Sequence, residues 1–111
     1  MAIAKAKNNS LPSSLGRKLR RLLLYARISV MAMLSYYGDD GLPYQDIKGV
    51  LGLEDGSLGP NLMWLKKQGY IKVEEAEVED KTVAVYYMTE EGKNAYAMVS
   101  AWLDKLLHPG N

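Results

Sequence analysis

Residues 54–73, EDGSLGPNLMWLKKQGYIKV, restrict this chain more than any other stretch. Leu58, Leu62 and Leu65 recur at i, i+4 and i+7, so they share one face of a helix. Ser57, Pro60, Asn61, Trp64 and Lys67 fall on the opposite side. Asp55 or Ser57 can act as N-cap, because a short polar side chain accepts a hydrogen bond from the free N–H groups of the first turn. With Ser57 as cap, Pro60 takes the third helical position, where no intrahelical partner exists for its missing N–H. Gly69 follows the last periodic residue and suits the left-handed conformation that ends a helix. Tyr70, Ile71, Lys72 and Val73 then alternate like a strand. The stretch therefore predicts a helix of about residues 57–68, polar outside, that turns at once into a strand.

The rest of the chain builds a support for that unit. Residues 1–14, MAIAKAKNNSLPSS, are small and polar and end in turn-forming residues, which predicts a flexible basic arm. Leu15, Leu19, Leu22, Ala26, Val30, Met33, Leu34 and Tyr37 then form one stripe at helical spacing, with Arg17, Arg20 and Arg21 opposite it. Further along, Leu24, Ile28 and Met31 make the helix apolar all round, so it starts half exposed and ends buried, with a bend expected near Ala26 and Arg27. Gly38 ends it. Leu42 suits a strand of one or two residues. Pro43 starts a short helix with Tyr44, Ile47, Val50 and Leu51 inside, and Gly52 stops it.

Residues 70–74 and 82–88 read as two strands, the second rich in β-branched and aromatic residues. Ala84, Tyr86 and Met88 are expected inward with Ile71 and Val73. Val83, Val85 and Tyr87 are expected outward, with an acidic loop, 75–81, between the strands. Thr89 begins a capped last helix, about 90–107, with Glu90 and Glu91 in its positive first turn. Tyr96, Val99, Leu103 and Leu106 follow a/d spacing there, with Trp102 beside them. Such a seam buries against another helix, either the chain's own first helix or a symmetry mate.

At this point the residues resemble a known family. Residues 52–71, GLEDGSLGPNLMWLKKQGYI, are similar to the pattern G-L-x-D-G-x-L-x-x-H-L-x-x-L-x-x-x-G-Y-I of short archaeal and bacterial winged-helix proteins. These belong with the MarR-like and ArsR-like winged helix-turn-helix regulators. Tyr86, Met88, Thr89 and Gly92 resemble the same family's Y-x-L-T-x-x-G. The likeness covers about residues 17–107. Gly59 and Pro60 stand where Ser and a polar residue are usual, Asn61 replaces His, and the wing tip is acidic. The resemblance implies a mainly α fold with a small β part: a three-helix core, a two-stranded wing and an added C-terminal helix, in one domain over 15–108.

It also implies double-stranded DNA as partner, read by a homodimeric transcriptional regulator whose recognition helix enters the major groove. Ser57 and Asn61 are the candidates for base contact, since Asn matches adenine bidentately. Gly59, Pro60, Trp64 and Lys67 complete the exposed stripe. Arg17, Lys18, Arg20 and Arg21, with Lys5 and Lys7 of the arm, supply the phosphate attraction that dominates affinity. Tyr96, Val99, Trp102, Leu103 and Leu106 are the expected dimer interface.

Charge is distributed to match. Residues 1–30 hold seven basic side chains (Lys5, Lys7, Arg17, Lys18, Arg20, Arg21, Arg27) and no acidic one; residues 31–111 hold seven basic and thirteen acidic. That is +7 against −6, which suggests a basic face for an anionic partner. The wing argues the other way, because Glu74, Glu75, Glu77, Glu79 and Asp80 would repel phosphate. With the apolar row Val83, Val85 and Tyr87, it fits the rival reading of a winged-helix protein-interaction module without DNA affinity.

Catalysis finds little support. The only histidine, His108, stands beside a proline near the end, so no triad has a positioned base. There is no cysteine, hence no disulfide and no thiolate zinc site. Asp39 and Asp40 read as a solvated turn, and no phosphate-loop pattern is present. No metal or cofactor is expected. With no signal-like segment and no membrane-length apolar run, the expected setting is cytoplasmic. The effector, if one exists, is not legible.

Overall fold

The computed structural model describes residues 13–110. Lys5 and Lys7 of the basic arm, and the side chain of Lys18, lie outside the described residues and atoms. The elements are α1 (Ser13–Arg20), a 3-10 turn (Arg21–Leu23), α2 (Tyr25–Tyr37), a second 3-10 turn (Gly38–Asp40), β1 (Leu42–Pro43), α3 (Tyr44–Leu51), α4 (Asp55–Lys67), β2 (Ile71–Val78), β3 (Lys81–Met88) and α5 (Glu90–Leu107). Among the described residues, no helix is long and apolar enough to cross a membrane.

α2 is the hub. Ala26, Val30, Met31, Met33 and Leu34 are all buried on it. α3, α4, α5 and β3 pack around it. Leu58, Leu62 and Leu65 of α4 are buried as their spacing predicts, and Ile47 of α3 joins them. No buried polar or charged residue occurs among the described ones, so apolar burial dominates the interior. Truncating one of these leucines to alanine costs about 2–5 kcal/mol through the cavity left behind.

The first helix is split, but not at the expected place. The break falls at Leu24, whose backbone is extended (φ −70°, ψ 137°) and whose carbonyl accepts from the N–H groups of Arg27 and Ile28. Leu24 thus caps α2 through its backbone, and a new helix axis begins there rather than at Ala26 and Arg27. The break turns Leu24 out to solvent. The apolar stripe holds from Leu19 to Leu34 but stops short of Tyr37, which is 55% exposed at the helix end.

The start of α4 also differs. It begins at Asp55 with no side-chain cap, and Pro60 is its sixth residue rather than its third. Pro60 therefore leaves the Gly56 carbonyl without an i+4 donor. The other end follows expectation in detail. Gly69 is left-handed (φ +80°), its N–H donates to Lys66 O, and the N–H of Tyr70 donates to Leu65 O. This Schellman closure satisfies two terminal carbonyls and sends the chain into β2.

The sheet runs β1-β3-β2, antiparallel, with Ile71 opposite Met88 and Val78 opposite Lys81. The expected acidic loop is mostly strand. Only Glu79 and Asp80 make the turn, at φ 51° and 65°, the doubly left-handed geometry that matches strand twist. Val85 corrects the outward row: it is only 6% exposed, because β1 pairs with β3 and the Gly41 turn covers that face. A Cβ on Gly41 would stand 2.7 Å from Val85 Cγ1 and 2.6 Å from the Tyr87 ring. Thr89 caps α5 as its sequence context predicts, accepting from the N–H of Gly92 at 3.0 Å.

Candidate nucleic-acid interface

α4 is fixed on three sides, and that leaves one face outward. Its leucines anchor it to the core. Its first turn is tied to α3, where the Tyr44 hydroxyl donates to Asp55 Oδ1 at 2.6 Å and Lys48 Nζ lies 3.2 Å from the same oxygen. The Tyr44 hydrogen bond, followed by that of Lys48, holds the Asp55 carboxyl below the usual carboxylate range. The same bond to Asp55, before burial, pushes the Tyr44 phenol up. Its C-terminal end is closed by Gly69, with the Trp64 and Tyr70 rings 6.3 Å apart beneath the turn.

The outer face carries what the sequence places there. Ser57, Pro60, Met63, Lys66 and Lys67 are exposed, and Gly59, Asn61 and Trp64 are half-buried. Trp64 packs against the core as well as lining the face. Arg17, Arg20 and Arg21 are exposed on α1 and the 3-10 turn that follows it.

Asn61 is not a free amide. Its Nδ2 donates to Ser57 O at 2.8 Å, and its Oδ1 accepts from Arg27 Nε at 2.9 Å. Arg27 is the residue that sequence reading missed as a site residue. Its guanidinium lies 3.8 Å from the Trp64 ring centroid, and Nη1 donates to Arg21 O at 2.9 Å. Burial first, then the charge of Arg21, lowers the Arg27 pKa. The signal was present in the sequence: an arginine between Ala26 and Ile28, where the helix turns apolar all round, needs a reason to be there. Through Arg27, the backbone of the basic 3-10 turn meets the outer face of α4.

The wing presents acid. Glu74, Glu75, Glu77, Glu79 and Asp80 are exposed, with Lys72 Nζ 3.4 Å from Glu74 and the Thr82 hydroxyl donating to Glu77 at 2.7 Å. Of the expected interface on α5, Val99 is 1% exposed inside the chain's own core, Tyr96 and Leu103 are packed against it, Trp102 is half-buried, and Leu106 is 60% exposed.

Known structures share this fold. A transcriptional regulator homologue from Pyrococcus horikoshii matches over 85% of this chain and 94% of its own, with TM-score 0.71 and 20% identity. S. aureus MepR, solved as a DNA complex, matches over 98% of this chain and 84% of its own, with TM-score 0.67 and 14% identity. A MarR-family regulator from Silicibacter pomeroyi matches over 96% of this chain and 71% of its own, with TM-score 0.61 and 23% identity. At these identities the likeness establishes the fold. No curated protein matches the sequence. The family model described as "winged helix DNA-binding domain" matches residues 26–107, from the start of α2 to the end of α5. The chain therefore belongs to the winged helix DNA-binding domain family.

Proposed function

We propose that this protein binds double-stranded DNA sequence-specifically as a homodimeric transcriptional regulator, with α4 in the major groove. The observation that carries the reading is the junction at Arg27. It brings the basic segment around Arg21 to the same side as Asn61 and Trp64 of α4. A base-reading face beside a phosphate-binding strip is the combination that DNA recognition requires. Exposed Ser57 and Pro60, in the first half of α4, meet base edges. Arg17, Arg20, Arg21, Lys66 and Lys67 meet phosphates. The acidic wing tip lies off the duplex, since five carboxylates against phosphate would oppose binding. The DNA-bound MepR neighbour supports the same reading by likeness of fold.

Selection of bound duplexes from a randomised pool tests it. Specific proteins bind their sites about 10³-fold or more above scrambled DNA at physiological salt. Enrichment of one motif supports the proposal. Failure to enrich, with no retention of any duplex at low salt, would favour the protein-interaction reading.

A further inference from the structure

Arg27 has an environment that calls for an anion. It is half-buried, its neighbour Arg21 is a like charge, and the ion pairs found among the described residues do not include it. Its guanidinium plane is held on three sides, by the Trp64 ring, by Asn61 Oδ1 and by Arg21 O. A guanidinium has five N–H donors. Two are used here, so three remain on a group whose orientation is already fixed. Arginine held in this way suits the planar, bidentate capture of a phosphate.

Asn61 looks different in this light. Reading adenine requires both a free amide donor and a free acceptor. Its donor is turned back on the helix to Ser57 O, and its acceptor holds Arg27. We propose that Arg27 contacts a DNA phosphate at the corner between α2 and α4, and that Asn61 is a positioning residue acting through it rather than a reader of bases. This rests on the DNA-binding reading above.

The two roles separate in a salt titration of the full chain against the pool-selected duplex and a scrambled duplex. Arg27→Gln keeps an aliphatic stem on Trp64 and a donor for Asn61, yet removes the charge. It should weaken both duplexes alike and flatten the slope of log K against log salt by about one unit, while Arg27→Lys restores the slope. Asn61→Ala should weaken both duplexes by the same factor, about 3- to 10-fold. In the Arg27→Gln background it should add nothing, because the two residues act as one unit. An unchanged slope in Arg27→Gln would overturn the proposal. So would an Asn61→Ala loss confined to the selected duplex, a result that stands even if Arg27→Gln fails to fold. Should the parent protein bind neither duplex, it is the DNA-binding reading itself that fails.

Discussion

Gly92 and Tyr70 touch so closely that a Cβ at 92 would stand 2.0 Å from the Tyr70 carbonyl oxygen. That carbonyl also accepts from the N–H of Thr89, and the Thr89 hydroxyl donates to Gly69 O. The first turn of α5 is thereby seated on the junction where α4 becomes β2. The C-terminal helix and the exit of α4 are fastened at one point.

Gly92→Ala should therefore destabilise the fold by about 1–3 kcal/mol, because the added methyl meets backbone that cannot give. Gly49→Ala in α3 is the control. Nothing lies within 4 Å of its Cβ position, so the usual helix preference for alanine should stabilise it by about 0.5–1 kcal/mol. Urea unfolding of both variants checks the contrast in sign.

Much of this architecture is legible in the sequence because periodicity reports burial directly. Leu58, Leu62 and Leu65, the Gly69 closure and the Thr89 cap all follow from local rules. The misses are places where a distant contact decides. Val85 alternates like an exposed residue and is covered only because β1 and Gly41 fold over it. Pro60 lies deeper in α4 than a Ser57 cap implies because the helix starts at Asp55, which Tyr44 and Lys48 of α3 hold. Leu24 breaks the first helix although its neighbours continue the apolar stripe on both sides. Arg27 was visible as a charge, but its bond to a residue 34 positions away in sequence was not.

The Tyr44–Asp55 bond gives a prediction in pH. The folded state favours ionised Asp55, so its contribution is present above the ordinary carboxylate pKa and is lost as pH falls through the depressed folded value. Tyr44→Phe removes the largest cause and should move the Asp55 pKa upward toward the ordinary carboxylate value, with Lys48 still holding it somewhat low. A carboxyl-carbon NMR titration reads this directly, and an unmoved midpoint would show that the hydroxyl is not the cause.

Assembly should depend on the outer end of α5. Val99 is spent on the chain's own core, while Leu106 and Leu107 are 60% and 69% exposed. We expect a homodimer through this end, with twice the 12.4 kDa chain mass in light scattering at about 10 μM, as a Kd below about 1 μM requires. Charges at both positions, as Leu106→Glu with Leu107→Glu, should return the mass to that of one chain without loss of helical signal. A single-chain mass for the parent would exclude the homodimer.

The central claim is that the outer face of α4 docks on DNA. Trp64 lies on that face, and the protein's other tryptophan, Trp102, is on α5, so Trp102→Phe leaves Trp64 as the one tryptophan, read apart from the tyrosines by red-edge excitation. Titrating this variant with the selected duplex at physiological salt should change Trp64 emission saturably, with Kd at or below about 10⁻⁸ M and scrambled DNA binding at least about 10³-fold more weakly. Equal response to both duplexes, or none to either, would contradict the account.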